Sequence, residues 1–293
     1  MNRKNQLLGN LSSEKRVIKP ISVNIAIWKA CNYQCKFCFG HYHGLEEEFV
    51  YDRIMEIPSI LASLGTKKIT VEGGEPFLYP YLKDFLISSK KAGLITSVIT
   101  NGSLVTEKRL RELAPYLDWI GVSVDSPEEK TEMALGRGRG SHLSKVRLVS
   151  KWAHKYGIKL KINTVVTRYN LGNNLTGLYK DLKPERIKVF QFLPIESEND
   201  DFRDELIITP SEFGEFVNRH KALMDLGYNI VFESNSDMTG SYVMLLPSGR
   251  FFNNYGGRHV LSRNTIFTDP LEALREIQWD SIKFKERGGL YEW

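Results

Sequence analysis

The chain has 293 residues, of which 42% are hydrophobic and 26% are charged. This composition excludes a disordered, collagen-like or small disulfide-stapled protein, and no apolar run approaches the roughly 20 residues of a membrane helix. The formal net charge is only +5, yet residues 133–190 hold thirteen Lys and Arg against two acidic residues, a local balance of +11. Such a segment suits a polyanion: a nucleic acid, a membrane surface or a phosphorylated small molecule.

The amino terminus carries no targeting signal that we recognise. The first eight residues are partly basic but lack the apolar core of a signal peptide, and residues 1–20 show no sustained apolar stripe. We therefore expect a cytoplasmic protein with no membrane partner.

Strand-like and helix-like segments alternate from Ile21 onward. Strands are predicted at 22–28, 67–71, 95–100, 119–124, 158–166 and 187–193. Helices are predicted at 49–64, 82–92, 106–115, 142–156 and 171–182. This alternation predicts an α/β fold with a parallel sheet and right-handed crossovers. Six such units are typical of a partial (βα)6 barrel of the TIM type rather than of a closed eightfold barrel.

All three cysteines fall within eight residues, as Cys31, Cys35 and Cys38. An odd number in one short segment is unlike a secreted disulfide framework. Structural zinc wants four ligands, and His41 or His43 would have to complete such a site. A [4Fe–4S] cluster is the better interpretation, because three thiolates on one loop leave one iron open for a substrate or cofactor.

Further polar residues follow the predicted strands, where the chemistry of such barrels gathers. The segment Gly73-Gly74-Glu75-Pro76 follows the second strand. Other polar residues lie at or beyond the later strand ends: Asn101, Ser103, Ser123, Asp125, Asn163 and Gln191. So many placements after consecutive strands indicate one site at this end of the sheet.

The C-x3-C-x-aromatic-C spacing and the Gly-Gly-Glu-Pro segment resemble the motifs of the radical S-adenosylmethionine superfamily. The resemblance implies that the open iron binds the amino and carboxylate groups of S-adenosylmethionine and that Phe37 lies beside the adenine. The main chain of Gly73, Gly74 and Glu75 would hold the methionine ammonium, since glycine permits a close approach. Glu72 departs from the Ser or Thr that often precedes this motif.

The same resemblance assigns five further residues to the cofactor. Partners of its ribose and methionyl ends would be Asn101, Ser103, Ser123 and Asp125. Arg137 lies in Gly136-Arg137-Gly138-Arg139-Gly140. A flexible backbone there would let a guanidinium and main-chain N–H groups wrap an anion.

Within that superfamily the chain resembles the viperins over about residues 21–293. The most specific segments are Gly136-Arg137-Gly138, Lys161-Ile162-Asn163, Lys188-Val189-Phe190-Gln191, Glu233-Ser234-Asn235 and Arg287-Gly288-Gly289-Leu290-Tyr291. Viperins convert CTP into 3′-deoxy-3′,4′-didehydro-CTP, and prokaryotic relatives also accept UTP or GTP. The resemblance implies that a 5′-deoxyadenosyl radical abstracts the ribose 4′ hydrogen, which gives a chain-terminating antiviral nucleotide. It also implies an external one-electron donor of the flavodoxin or ferredoxin type.

A triphosphate pocket should hold several cations. Lys161 and Lys188 interrupt otherwise apolar strands, a costly position without a partner. By match to the family, four cations would face the phosphates: Lys68, Lys161, Arg186 and Lys188. Four residues match positions near the sugar: Asn24, Asn163, Asn235 and Tyr242. Tyr242 would also donate a hydrogen atom to a substrate radical.

The resemblance divides the chain into an N-terminal extension (1–20), the barrel (21–195) and a C-terminal extension (196–293) that covers the barrel mouth. Two alternatives remain open. One is a radical enzyme that matures a peptide or a cofactor, although such enzymes often carry further cysteines and none follows Cys38. The other is a metal-stabilised RNA-binding protein that uses the +11 segment, whereas our main interpretation expects no stable nucleic acid partner.

Overall fold

The computed structural model describes residues 20–42 and 50–293. His43 and nearly all of the predicted N-terminal extension lie outside the described residues. The strands are β1 (Ser22–Trp28), β2 (Lys68–Gly73), β3 (Ile95–Thr100), β4 (Trp119–Ser123), β5 (Lys159–Val166), β6 (Arg186–Gln191), β7 (Ile230–Glu233), β8 (Met244–Leu245), β9 (Phe251–Asn253) and β10 (Val260–Leu261). The helices are α1 (Tyr51–Ser63), α2 (Leu82–Lys91), α3 (Glu107–Leu113), α4 (Glu129–Ala134), α5 (His142–Lys155), α6 (Thr176–Leu182), α7 (Arg203–Leu206), α8 (Pro210–His220), α9 (Ala222–Asp225), α10 (Asn235–Met238), α11 (Pro270–Glu276) and α12 (Ser281–Glu286).

In the described part of the chain, these strands form one sheet in the order β10-β9-β8-β1-β2-β3-β4-β5-β6-β7. Strands β1 to β7 and β8 are parallel, whereas β9 and β10 are antiparallel to their neighbours. Since β10 and β7 are the two edges, the barrel is open. The predicted partial α/β barrel is confirmed.

The six predicted strands and most of the predicted helices have their expected positions. The exception is α6, which begins at Thr176 rather than at residue 171. The intervening segment contains Gly172, Asn173 and Asn174, and the Asn174 side chain accepts a hydrogen bond from the Thr176 N–H at 3.0 Å. Such residues favour turns by bonding their own backbone, which delays the helix.

Residues of one strand alternate between the apolar core and the barrel interior. In β2, Ile69 and Val71 are fully buried in the apolar core, while Lys68, Thr70 and Glu72 line an interior cavity. Burying one aliphatic side chain contributes roughly 1.5–3 kcal/mol. The apolar residues therefore determine which face of the strand the polar residues present.

Residues 196–293, which are predicted to cover the barrel mouth, also contribute strands to the sheet. Strand β7 extends the parallel sheet beyond β6, and β8 pairs with β1 at the opposite side. Strands β7 to β10 have only two to four residues each, too few for a reliable period-two pattern. The boundary at residue 195 remains a prediction. Among the described helices, none is long and apolar enough to cross a bilayer.

Candidate active site

A cavity of ≈ 270 Å³ lies inside the open barrel, and most of the predicted site residues line it. At its wall are Cys31, Cys35, Phe37, Cys38, Gly73, Gly74, Asn101, Ser123, Arg137, Asn24, Lys68, Lys161, Asn163, Arg186, Lys188 and Tyr242. Four predicted residues, all within the described ranges, lie outside this wall: Glu75, Ser103, Asp125 and Asn235. The structure therefore brings the cysteines and the strand lysines to one cavity.

The cysteine loop follows β1 and is held from behind by the glycine-rich segment that precedes α5. The Gln34 N–H donates to the Gly136 carbonyl at 3.3 Å, and the Lys36 N–H donates to the Leu135 carbonyl at 3.0 Å. A Cβ on Gly136 would lie 2.0 Å from the Gln34 carbonyl oxygen, and this glycine has φ +78°. Only glycine permits that contact, so the segment supports the shape of the loop.

The three thiols are free, and their arrangement suits a cluster better than a single ion. Within residues 20–42 and 50–293, no three Cys, His, Asp or Glu side chains are placed to hold one metal ion. A four-iron cube spaces its thiolate ligands more widely than one ion does, so three cysteines at one cavity wall fit the cube. Burial raises the pKa of Cys35 to about 12 and that of Cys38 to about 11, so iron must displace thiol protons.

The glycine segment after β2 packs directly on the cysteine loop. The Gly74 N–H donates to the Trp28 carbonyl at 2.7 Å, and the Glu75 N–H donates to the Ala30 carbonyl at 2.9 Å. A Cβ on Gly74 would lie 2.3 Å from the Ala30 oxygen. Glycine is therefore required here by the neighbouring backbone as well as by any ligand.

The Glu75 carboxylate shapes this segment from inside instead of facing the cavity. It accepts hydrogen bonds from the Phe77 N–H at 2.9 Å, the Thr100 hydroxyl at 2.8 Å and the Asn101 N–H at 2.8 Å. Three protein donors already surround the carboxylate, and the resemblance assigns the cofactor contact to the main chain instead. The main-chain N–H of Glu75 donates to Ala30 and its carbonyl accepts from the Leu78 N–H at 2.9 Å, so the main-chain contact with the cofactor stays a prediction.

Arg137 and Asp125 form a buried ion pair behind the cysteine loop. Arg137 Nε lies 2.5 Å from Asp125 Oδ2 and 3.7 Å from Glu132 Oε2. The second Asp125 oxygen accepts from the Val165 N–H at 2.8 Å. Both Asp125 oxygens therefore bind protein groups, and the cofactor contact predicted for Asp125 stays a prediction. Arg137 keeps a place in the cavity wall, 5.0 Å from the Phe37 ring centroid, but these carboxylates hold it.

Asn101 lies beside the first cysteine, while Ser103 contacts Asn32 and does not line the cavity. Asn101 Nδ2 donates to Asn32 Oδ1 at 2.9 Å and lies 3.9 Å from Cys31 Sγ. The Ser103 hydroxyl accepts from Asn32 Nδ2 at 2.8 Å. The Ser123 carbonyl is 2.9 Å from His142 Nε2, so α5 is anchored to the end of β4.

Besides Arg137, which is paired with Asp125, five cations line the cavity, and four of them come from three strands. They are Lys68 of β2, Lys161 of β5, Arg186 and Lys188 of β6, and Arg287. Burial, together with neighbouring cations, lowers the pKa of Lys68 to about 5, that of Lys161 to about 8 and that of Lys188 to about 7. The charged forms of these lysines are therefore unfavourable in the cavity unless an anion is bound, which indicates an anion-binding site.

Glu233 lies at the centre of this set. Its carboxylate is 2.6 Å from Lys188 Nζ and 3.4 Å from Arg287 Nη1, and it accepts from the Tyr242 hydroxyl at 2.5 Å. The Lys188 ammonium donates to the same tyrosine oxygen at 2.7 Å. Although burial opposes it, these cations hold the pKa of Glu233 below its usual range.

The C-terminal tail contacts two further cations, Lys68 and Arg186. Lys68 Nζ donates to the Tyr291 hydroxyl. Arg186 donates to the Gly288 carbonyl at 2.6 Å, and its guanidinium lies 3.8 Å from the Tyr291 ring centroid. The tail therefore closes this end of the cavity.

Four further residues of the site did not stand among the sequence-predicted ones. They are Glu72, Glu233, Arg287 and Tyr291. A signal was present for each, since Glu72 departs from the motif and the other three belong to the family-like segments. The sequence could not show that these residues contact one another, because Glu233 and Arg287 are 54 residues apart in the chain.

Comparison with known proteins agrees with this geometry. A family model described as the radical SAM superfamily matches residues 25–177. A relative from Flammeovirga pacifica, described as an S-adenosylmethionine-dependent nucleotide dehydratase, is 38% identical, and the aligned region covers 93% of this chain and 96% of the relative. This chain belongs to that family.

More distant similarity is consistent with the assignment. The S-adenosylmethionine-dependent nucleotide dehydratase RSAD2 of Danio rerio is 34% identical over 94% of this chain and 78% of the relative. The crystal structure of Streptococcus suis SuiB bound to S-adenosylmethionine has a TM-score of 0.68 at 17% identity, covering 92% of this chain and 68% of that one, and shows the likeness of fold. The predicted viperin-like radical SAM family is confirmed.

As a member of this family, the dehydratase uses a [4Fe–4S] cluster and S-adenosylmethionine, as predicted. Cys31, Cys35 and Cys38 would hold the cluster. Four of the thirteen cations of the +11 segment line the cavity, namely Arg137, Lys161, Arg186 and Lys188. The family assignment favours the enzyme over the RNA-binding alternative.

Proposed function

We propose that this enzyme converts a nucleoside triphosphate into its 3′-deoxy-3′,4′-didehydro form, with CTP as the first expected substrate and UTP or GTP as the next. The observation that carries the proposal is the set of five cavity cations that lie apart from the Arg137–Asp125 pair. Among the described residues, Glu72 is the one carboxylate that lines the same wall, and Glu233 pairs with two of these cations. A triphosphate is the part of a nucleotide that such an excess of positive charge would bind. The product would terminate nucleic acid chains, which suits antiviral defence.

The residues divide the cavity into two ends. When bound, the cluster and S-adenosylmethionine supply the 5′-deoxyadenosyl radical that removes the 4′ hydrogen. The backbone of Gly73 and Gly74 would hold the methionyl end, and Lys161 and Lys188 the phosphates. The sugar then lies between them, beside Asn24. Enclosure by the tail excludes water from this chemistry.

Asn163 also belongs to the cavity wall, whereas Asn235 does not. The Asn235 N–H donates to Gln191 Oε1 at 3.1 Å, at the beginning of α10. A sugar contact by Asn163 is compatible with the described wall, whereas Asn235 Oδ1 is buried outside it, without a hydrogen-bond partner among the described residues. Both roles remain part of the proposal.

Tyr242 is proposed as the donor of one electron and one proton. Loss of the 3′ hydroxyl from the C4′ radical needs both: the proton makes water of the departing hydroxide, and the electron completes the C3′=C4′ bond. The hydroxyl of Tyr242 is held by Glu233 and Lys188, which orient it in the cavity wall. An external flavodoxin- or ferredoxin-type donor would return the electron to the tyrosine.

Anaerobic incubation of the reconstituted enzyme with dithionite and each of CTP, UTP and GTP tests the proposal. Mass spectrometry should detect 5′-deoxyadenosine together with a nucleotide that has lost water. Tyr242→Phe should still bind nucleotide but lower product formation by about a hundredfold. Tyr291→Phe, which removes a different phenol hydroxyl of the cavity wall, should weaken nucleotide binding without changing the ratio of product to 5′-deoxyadenosine. If no triphosphate stimulates 5′-deoxyadenosine formation, the peptide- or cofactor-maturing alternative is favoured.

A further inference from the structure

Glu72 places a carboxylate in the cavity wall directly before the glycine segment. One of its oxygens, Oε2, accepts a hydrogen bond from Asn24 Nδ2 at 3.0 Å. The other oxygen, Oε1, is buried and has no hydrogen-bond partner among the described residues. Buried polar atoms are nearly always paired, so an unpaired one in a cavity wall indicates a donor that a ligand brings.

The charged neighbours of Glu72 do not fill this role. Lys161 and Lys188 act on Glu72 through their charge, and Lys188 is itself paired with Glu233 at 2.6 Å. Burial raises the pKa of Glu72 to about 7 in spite of these lysines. The carboxyl group is therefore held in the wall without a close ionic partner.

A second unpaired acceptor faces the same cavity. Asn163 Oδ1 is buried and, like Glu72 Oε1, lacks a partner within the described residues. Two acceptors in one wall require a ligand portion rich in hydrogen-bond donors. The phosphates of a nucleotide carry negative charge and are repelled by a carboxylate, whereas the ribose carries two neighbouring hydroxyl donors.

The position of Glu72 also favours the sugar over the base. It lies in sequence directly beside Gly73, at the cofactor end, and in space near the phosphate-binding lysines. The ribose has to occupy the intermediate position, since its C4′ hydrogen must meet the cofactor while its 5′ substituent meets the lysines. We propose that Glu72 binds a ribose hydroxyl of the nucleotide, oriented by Asn24, and so makes the enzyme select ribonucleotides over their deoxy forms; the inference rests on the proposed function.

The test compares nucleotide pairs in the same variant. Calorimetry on the reconstituted enzyme with S-adenosylmethionine gives the affinity for CTP, 2′-deoxy-CTP and 3′-deoxy-CTP, with UTP and GTP series if CTP does not bind. Wild type should lose about tenfold or more in affinity when the bound hydroxyl is missing. In Glu72→Ala the ratio of the affinity for CTP to the affinity for that deoxy form should fall to within about twofold of unity.

The ratio of the ribo to the deoxy affinity does not depend on how the charge of Glu72 affects triphosphate binding as a whole. Loss of a carboxylate by itself strengthens triphosphate binding, but it does so equally for the ribo and deoxy forms. Thr70→Ala is the matched control, because Thr70 lines the cavity from the same face of the same strand, two residues away. It should keep the wild-type ratio. Glu72→Gln, which preserves shape and one acceptor, should give an intermediate ratio and serves if the alanine variant does not take up the cluster.

The outcomes separate the two proposals. Wild-type enzyme that binds no nucleoside triphosphate would overturn the proposed function and this inference with it. Wild-type enzyme that binds triphosphates without discriminating either deoxy form would overturn the inference alone. The same holds if Glu72→Ala keeps the wild-type discrimination, since another residue must then read the sugar.

Discussion

Replacing Lys188 by methionine should weaken nucleoside triphosphate binding by about tenfold to a hundredfold. A charge-assisted hydrogen bond contributes roughly 1.5–3 kcal/mol, and 1.4 kcal/mol corresponds to about a factor of ten in affinity. Lys188 is only 8% exposed, so solvent screens its charge little. Methionine keeps an unbranched chain of similar volume, which limits any new cavity.

The same change should also destabilise the fold, but by less than the loss of a partner usually costs in a buried ion pair. Removing one partner of a buried ion pair costs about 3–5 kcal/mol when the other charge is left unpaired. Glu233 keeps Arg287 at 3.4 Å and the Tyr242 hydroxyl at 2.5 Å, so we expect about 1–3 kcal/mol instead. A fold with about 5–15 kcal/mol of stability should survive this loss.

Calorimetric titration at fixed ionic strength measures the change in affinity, since salt would otherwise blur the comparison. Lys151→Met is the control, because it removes the same charge from an exposed position of α5 and should stay within about twofold of wild type. Affinity for S-adenosylmethionine should change little in both. If Lys188→Met binds CTP, UTP and GTP like wild type while losing S-adenosylmethionine, the division of the cavity into two ends is wrong.

Three further predictions concern the other parts of the site. Cys35→Ala should abolish the brown chromophore and the iron content of about four per chain after reconstitution; stoichiometric zinc in the wild type would contradict the cluster. Gly74→Ala should impair both cluster uptake and S-adenosylmethionine binding, because its Cβ would lie 2.3 Å from the Ala30 oxygen, whereas Gly172→Ala, where nothing lies within 4 Å, should not. Nucleotide binding should take up protons near pH 8, because phosphates raise the depressed pKa values of Lys161 (about 8) and Lys188 (about 7). Calorimetry in two buffers measures this uptake, and affinity that rises between about pH 7 and 10 would refute it.

Some of this protein could be deduced from its sequence because the relevant signals are local. The spacing of Cys31, Cys35 and Cys38 indicated the cluster, and the alternation of strand and helix patterns predicted the parallel sheet. Lys161 and Lys188 stood out as charges within apolar strands, which is a property of a few neighbouring residues. Burial of the intervening apolar side chains then turns these lysines into the cavity, as the period of two requires.

Only the tertiary structure decided which charges meet. Asp125 and Glu75 follow strands at the expected end, yet their carboxylates bind Arg137 and backbone donors on the protein side. Glu233 gathers Lys188 and Arg287 from segments far apart in the chain, and strands β7 to β10 are too short to carry a pattern of their own. Periodicity reports which face a side chain takes, whereas its partner depends on contacts between distant segments, which no local pattern encodes.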